Sequence, residues 1–385
     1  REMELLHGGT DVSAVLSDLE SVLEKRRRRA HPIELNGYFS TLAYGMRRQP
    51  SEAAPPLDET VRLPDGGTVR LVWRRAPSPG RRRSPQGIVL ILPGLNTSSR
   101  WPAVQQTAVA FCARGFDTAV LDYRGVGGLE LTSAQVGSCD AWRDLPAVLR
   151  VVAAAAHPAA PLFGVGFSMG GTILLKHLAA ESGSTPIRAA VTVSAPLRLA
   201  EHMRRLESGV DWRLVNLATA SAKKAELFAR FGPQLAVAST PSRGAELEHL
   251  RAVDWAQLAW STSLRQLEAA TVCPLHGYAD PEDYYAACTP QPEAVRVPWL
   301  CVHARDDPVI NVEPVLAVAK AMRALDAPAL FVVTPRGGHL GYAGGSATSW
   351  QDEPSWADEL AASFIRHWEA HSHARAKPPP PRSRL

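Results

Sequence analysis

Leu162-Phe163-Gly164-Val165-Gly166-Phe167-Ser168-Met169-Gly170-Gly171-Thr172-Ile173-Leu174-Leu175 is the stretch on which the fold turns. It begins with strand character, ends in a helical pattern, and carries G-x-S-x-G at residues 166–170 between the two. Strand, serine, helix is the context of a nucleophile elbow, a tight turn that lifts the serine Oγ above the end of a sheet. The flanking glycines are needed because a Cβ there would collide with neighbouring backbone. Ser168 is therefore the candidate nucleophile, and the next amide, that of Met169, is placed to point at a bound carbonyl.

Outward from this stretch, short buried apolar runs alternate with helical patterns, the signature of βαβ units and a parallel sheet. Strands are predicted at 88–92, 118–121, 162–166, 189–193, 300–303 and 330–333, with helices at about 104–113, 142–155, 170–180, 315–324 and 356–371. Asp65-Gly66-Gly67 marks a β-hairpin between Val61-Arg62-Leu63 and the alternating Val69, Leu71 and Trp73. Residues 1–30 read as a peripheral helix and 47–57 as a connecting loop. Residues 197–295 hold helical patterns, near 217–230 and 255–267, but no convincing buried strand, and are expected to form an inserted cap. Trp255, Trp260, Tyr284 and Tyr285 are candidates for its acyl-side wall and equally for ordinary packing in the core of the cap. The expected division is an N-terminal segment (1–57), an α/β domain with a helical cap (58–375) and a basic Pro-rich tail (376–385).

A serine hydroxyl is a poor nucleophile at neutral pH and needs a general base oriented by a carboxylate. Downstream, His303-Ala304-Arg305-Asp306-Asp307-Pro308 follows one predicted strand and Gly337-Gly338-His339-Leu340-Gly341 the next. Serine, then acid, then histidine is the chain order of the α/β-hydrolase fold. Counting three positions from the small residue Ala304 selects Asp307, while Asp306 is the reserve acid and could instead cap the turn or pair with Arg305. His339 is the candidate general base. The second oxyanion donor is expected from Pro93-Gly94-Leu95-Asn96-Thr97, where Gly94 permits close approach and the Leu95 amide joins that of Met169.

Other chemistries fit less well. Met169 and Glu130 stand where the last glycine of a dinucleotide motif would fall after Gly164-Val165-Gly166 and Gly125-Val126-Gly127. His367 and His371 share a helical face without a third ligand and read as a solvated helix end; His303 reads as a satisfied core histidine. No cofactor and no metal is called for.

With 45% hydrophobic and 21% charged residues and a mean hydropathy of −0.11, the chain is not disordered throughout. Residues 1–100 carry 16 basic against 11 acidic residues, so they account for +5 of a net charge of +4 and the remainder for −1. The basic runs, 25–29 and 81–83 with Arg74 and Arg75, read as solvated charge, with the run at 26–29 an alternative docking element for a membrane surface. No nucleic-acid motif accompanies them. Five cysteines without CxxC spacing point to a reducing compartment. The longest apolar runs fall far short of the roughly 20 residues that span a bilayer. Because the sequence opens at Arg1, a signal or anchor upstream is an open expectation; localisation is left unassigned, with an intracellular setting preferred.

Together, Asn36-Gly37-Tyr38-Phe39-Ser40-Thr41, Leu92-Pro93-Gly94-Leu95, Tyr123-Arg124-Gly125-Val126-Gly127-Gly128, Gly166-Phe167-Ser168-Met169-Gly170-Gly171, Glu282-Asp283-Tyr284-Tyr285, Asp306-Asp307-Pro308 and Gly337-Gly338-His339-Leu340-Gly341 resemble the AB hydrolase 4 family of α/β-hydrolases, including its YheT-type members. The resemblance runs from about His31 to Ala370. It implies one α/β-hydrolase domain with a helical cap, a Ser168, Asp307, His339 triad, and activity on carboxylic esters such as acylglycerols, phospholipids or short-chain esters. Some members carry an N-terminal membrane anchor. Two departures from the family pattern are Asn96-Thr97, where many members have Thr followed by Gly, and Ala304, where Gly is common. Two other readings stay open, an acyltransferase with the same triad and a hydrolase-fold binding protein with little turnover.

Overall fold

The structure, a computed structural model, describes residues 2–8, 10–28, 31–50, 56–77, 86–156, 160–238, 248–344 and 349–375. Among them one sheet contains β1 (Glu4–His7), β2 (Leu57–Arg62), β3 (Thr68–Arg74), β4 (Ile88–Leu92), β5 (Asp117–Asp122), β6 (Leu162–Phe167), β7 (Ile187–Val193), β8 (Trp299–Ala304) and β9 (Ala329–Thr334). Their spatial order is β1-β9-β8-β7-β6-β4-β5-β3-β2. Neighbours from β5 to β9 run parallel, while β1/β9, β2/β3 and β3/β5 pair antiparallel.

The apolar runs form strands because both faces of the sheet are covered, so alternation between apolar and polar residues is lost. Along β4, Ile88, Leu90 and Leu92 join one buried cluster while Val89 and Ile91 join the other. Helices α1 (Thr10–Arg28), α2 (Gly37–Gly45), α3 (Pro102–Cys112), α4 (Leu145–Ala155) and α5 (Met169–Ala180) precede a helical stretch between β7 and β8. That stretch comprises α6 (Leu199–Leu206), α7 (Val210–Ala238), α8 (Trp255–Trp260), α9 (Leu264–Ala270), α10 (Val272–His276) and α11 (Pro281–Cys288). Helices α12 (Val312–Ala324) and α13 (Trp356–Arg375) follow. Side chains of α1, α3 and α13 fill one face; those of α4, α5 and α12 fill the other, whose core continues into α6–α11.

Several expectations change. Residues 4–7 are an edge strand on β9 and not helix, because Leu5 and Leu6 pack toward opposite clusters in a run too short for its alternation to show. The helix after it is not peripheral: Val15 and Leu19 are fully buried and α1 lies along α13. Residues 37–45, unassigned in the sequence, form α2, started by Asn36, whose side chain accepts from the Phe39 amide. The predicted helix at 255–267 is two helices, broken at Ser261 to Ser263, where Ser263 caps the second. His367 is buried with Nδ1 on Asp18, so it is not a solvated end; the His371 side chain lies outside the described residues. The tail, Arg29 and the run at 81–83 also lie outside them. Arg26 is engaged internally, in a buried pair with Glu34.

Candidate active site

Ser168, Asp307, His339 and Leu95 follow β6, β8, β9 and β4, all at the carboxyl end of the parallel strands. In open α/β sheets ligands bind outside the carboxyl ends of the strands, where the strand order reverses. Ser168 has φ 49 and ψ −119, a backbone conformation that costs a serine about 1–3 kcal/mol. Close packing enforces it: a Cβ on Gly170 would lie 2.1 Å from the Leu92 carbonyl oxygen, and one on Gly166 2.5 Å from that of Gly170. Helix α5 therefore starts directly against β4 and β6, and the serine is pushed up at the turn.

The strand ends bring the other two groups to it. Ser168 Oγ lies 3.0 Å from His339 Nε2, and His339 Nδ1 lies 3.0 Å from Asp307 Oδ2. The other Asp307 oxygen accepts the amides of Val309 at 2.8 Å and Ile310 at 2.9 Å, which fixes the carboxylate. Burial opposes ionisation of Asp307, but the His339 ring and its hydrogen bond, with His303 and the Ile310 amide, outweigh it and hold the carboxyl below its ordinary range. An ionised acceptor at Nδ1 favours the tautomer that leaves Nε2 able to accept a proton from a neighbouring hydroxyl.

Asp306 points elsewhere. Its Oδ1 accepts the Gly338 amide at 2.9 Å, while Oδ2 is buried without a partner. Burial, joined by Glu34 and Asp307 and opposed by the Gly338 amide, lifts its carboxyl above the ordinary range. It does not pair with Arg305, which is held by Glu4. The two neighbouring acids thus divide the loop, Asp307 at the ring of His339 and Asp306 at the backbone just before it.

The loop expected to supply the second oxyanion donor runs beside Ser168. A Cβ on Gly94 would lie 3.2 Å from Ser168 Cβ, so this backbone touches the nucleophile. Tyr123 donates to the Pro93 carbonyl at 2.9 Å, and Thr97 Oγ1 to that of Gly94 at 2.8 Å. Asn96 takes φ 60, a left-handed conformation asparagine tolerates, and its Nδ2 reaches the Thr219 carbonyl of α7 at 3.4 Å. Among the described residues neither the Leu95 nor the Met169 amide has a backbone acceptor outside regular elements.

Two contributors, Thr41 and His202, were not read from the sequence, and His303 was read as more fully satisfied than it is. Thr41 Oγ1 accepts the His339 amide at 2.8 Å while donating to the Gly37 carbonyl at 2.7 Å, so α2 carries the histidine loop on its inner side. That contact is close enough to require glycine: a Cβ on Gly37 would meet the Asp306 oxygen, and one on Gly341 the Ser40 oxygen, at 1.6 Å. The Asn36 cap signal and the Gly-x-x-Ser-Thr spacing were present, but nothing local tells which loop they support. His202 of α6 is buried, with Nδ1 unpartnered, and burial pushes it down to about 4 against the pull of Asp307. His303 is likewise lowered by burial; its Nε2 meets the Ile310 carbonyl at 3.3 Å but its Nδ1 has no partner, so it is only half satisfied. Both rings are neutral near pH 7.

Of the aromatic residues expected to wall the acyl side, Trp260 is 84% exposed. Tyr284 and Tyr285 are buried in packing, with Tyr284 Oη accepting the Cys139 amide and Tyr285 donating to Glu268. All five cysteines are free and buried, and the described residues hold no cluster of metal-ligating groups. No helix is long and apolar enough to cross a membrane among the described residues.

Known proteins share this arrangement of sequence. The hydrolase 4 family model, described as serine aminopeptidase, S33, matches residues 83–339, more than half of the chain. Phospholipase ABHD3 of Homo sapiens is 25% identical over 332 residues, covering 83% of this chain and 74% of its own. YheT of Escherichia coli is 28% identical over 294 residues, covering 76% and 80%, and the monoacylglycerol lipase ABHD2 of Danio rerio 26% over 355 residues, covering 87% and 79%. The chain belongs to the α/β-hydrolase superfamily, in the AB hydrolase 4 family whose motifs it carries from the Asn36 helix to the His339 loop.

Proposed function

We propose that this chain hydrolyses carboxylic esters, of the lipid or short-chain kind, through an acyl-enzyme on Ser168. It is a hydrolase of ester bonds, a reading supported by relatives named phospholipase and monoacylglycerol lipase that match most of its length. The observation that carries the mechanism is the unbroken path Ser168 Oγ, His339 Nε2, His339 Nδ1, Asp307 Oδ2, with both links at 3.0 Å.

In the reading adopted here, Ser168 Oγ bonds to the ester carbonyl carbon as its proton passes to His339 Nε2. The carbonyl π pair moves onto oxygen, where the Leu95 and Met169 amides stabilise it; one such donor contributes about 2.7–4 kcal/mol. Collapse breaks the bond to the alcohol oxygen, which leaves with the proton from His339. Water then repeats the sequence and frees the acid. Asp307 stays ionised and stabilises the imidazolium. Helices α6–α11 act as the cap over this site, tied to it at Asn96 and Thr219.

The test is labelling with a fluorophosphonate together with turnover of p-nitrophenyl esters of increasing acyl length. Wild-type protein is expected to label and turn over, and Ser168→Ala to do neither, with kcat down on the order of 10⁶. A folded wild type that neither labels nor turns over overturns the reading in favour of a binding protein. An added alcohol that captures the acyl group faster than water moves it to acyl transfer.

A further inference from the structure

Large apolar side chains left in solvent are concentrated beside the site. Among the described residues twelve are strongly exposed, and ten of them belong to two places: Leu35, Tyr38, Phe39, Leu42 and Met46 on and around α2, and Val210, Leu214, Leu217, Phe228 and Trp260 on α7 and α8. Scattered single residues of this kind need no explanation, but contiguous ones mark an interaction surface.

Each group forms one face. Tyr38, Phe39 and Leu42 fall within about 100° of the α2 circumference, with Leu35 and Met46 at its two ends. The opposite side of α2 is small and buried and carries Thr41, which holds the His339 amide. Along α7, Val210, Leu214, Leu217 and Phe228 fall within about 60°. Lys224 of the same helix donates to the carbonyls of Ala259 and Ser261, which seats the exposed Trp260 beside that stripe. The inward side of α7 carries Thr219, whose carbonyl meets Asn96 of the oxyanion loop. Two apolar faces therefore flank the nucleophile, one backing the histidine loop and one backing the oxyanion loop.

The charge around the second face selects the occupant. Over residues 198–228 six Lys and Arg stand against four Asp and Glu. Arg204, Arg205 and Arg213 are exposed, and their side chains donate to carbonyls or a hydroxyl and not to carboxylates. Arg205 also lies 5.1 Å over the Trp212 ring. An exposed apolar stripe beside arginines that have no carboxylate partner among the described residues matches a bilayer surface with anionic headgroups, where chains insert and phosphates meet arginine. We propose that the outer faces of α2 and α7, with Trp260 and the Arg204, Arg205, Arg213 group, form a rim that docks on an anionic lipid surface and presents Ser168 to esters lying in it. The inference rests on the ester-hydrolase reading for what enters the site; the docking surface itself is carried by exposure and charge.

The test uses the full chain with vesicles of phosphatidylcholine alone and of phosphatidylcholine with phosphatidylserine. Three variants separate the elements: Tyr38→Ser with Leu42→Ser, Leu214→Ser with Trp260→Ser, and Arg204→Glu with Arg205→Glu and Arg213→Glu. Wild type is expected to co-sediment with the serine-containing vesicles and less with phosphatidylcholine alone, and each variant to partition at least about tenfold less. Added salt weakens the wild type but not the arginine variant. Turnover of water-soluble p-nitrophenyl acetate stays within about twofold of wild type in all three, which also reports that they fold. Vesicle binding unchanged in the two apolar variants, or absent in a wild type that cleaves p-nitrophenyl acetate, overturns the rim. So does a dimer of the wild type that these variants convert to monomer, since the faces would then meet a second copy of the chain. Vesicle binding by a wild type that cleaves no ester leaves the docking surface standing and overturns the hydrolase reading instead.

Discussion

The catalytic end of the sheet and the helical stretch α6–α11 treat buried and exposed groups by opposite rules. Every residue of β4, β5, β6, β8 and β9 is buried, and the polar groups that matter sit just past the strand ends. Asp307 there meets three donors and is fully enclosed. In the helical stretch an apolar core continues that of the sheet, yet Val210, Leu214 and Trp260 stay in water while His202 is buried and Glu268 half-buried. Directed contacts tie its helices together: Asn216 joins the Leu206 carbonyl to the Leu264 amide, and Lys224 bridges α7 to the end of α8. Burial of apolar area makes the sheet a stiff base for Ser168, Asp307 and His339, while in the layer above it directed hydrogen bonds join a smaller apolar core. Substitutions at the sheet end should therefore act on chemistry, and those in the helical stretch on stability and surface behaviour.

The sharpest way to break that division is within one dipeptide. Asp307→Asn is expected to lower kcat on a soluble ester on the order of 10⁴-fold, because an amide no longer fixes the imidazole tautomer or stabilises its cation. Asp306→Asn should stay within about tenfold, since an amide oxygen still accepts the Gly338 N–H. Equal losses would mean that Asp306 is as much the acid as Asp307. Next in size comes Gly341→Ala, whose Cβ has no room against the Ser40 carbonyl. Moving α2 off the histidine loop should cost about 1–3 kcal/mol of stability and on the order of 100-fold in kcat, read by thermal unfolding and turnover together. Thr41→Val is milder. It leaves the His339 amide without its acceptor at nearly constant volume, for about a tenfold fall in kcat with KM unchanged. Thr41→Ser should restore most of it; a serine variant as poor as valine would assign Thr41 to packing and not to positioning.

The same contrast explains what could be read from the chain. The buried strands and the elbow were legible because they depend on local runs: Ile88-Val89-Leu90-Ile91-Leu92 gives β4 to the residue, and Gly166 to Gly170 is its own steric argument. Serine, acid and histidine were legible because each follows a strand, and counting from Ala304 chose the acid whose carboxylate the structure brings to His339. What escaped depends on partners far along the chain. Edge strand β1 pairs with residues more than 300 positions away, and the Thr41 contact spans 298. Trp260 was read as wall or core because a tryptophan in a helical pattern looks like either, but it is the last residue of α8 and stands in solvent. The burial of Glu268 could not be read at all, since its partner Tyr285 lies on another helix.

Glu268 gives the smallest effect on activity and the cleanest test of the helical stretch. Burial lifts its carboxyl to about 7, with the Tyr285 hydrogen bond and Lys223 opposing. Unfolded, it titrates near its ordinary 4.5. Between these values the folded state holds the proton that the unfolded state has lost, so stability from this group is full below about pH 4.5, falls as pH rises, and is gone above about 7. His177 and His202, pushed down to about 4 by burial, act in the other direction: there the unfolded state binds the extra proton, and stability rises with pH up to the ordinary value of 6.5. A wild-type stability curve alone mixes the two slopes. Glu268→Gln keeps an acceptor for the Tyr285 hydroxyl and removes only the ionisation, so the histidine contributions cancel when the two curves are subtracted. The difference should favour the variant increasingly from about pH 5 to 7 and level off above it at about 1–3 kcal/mol, while p-nitrophenyl acetate turnover stays within about twofold. A flat difference would mean that Glu268 ionises as readily folded as unfolded, and that its place between α9 and Tyr285 of α11 carries no electrostatic cost.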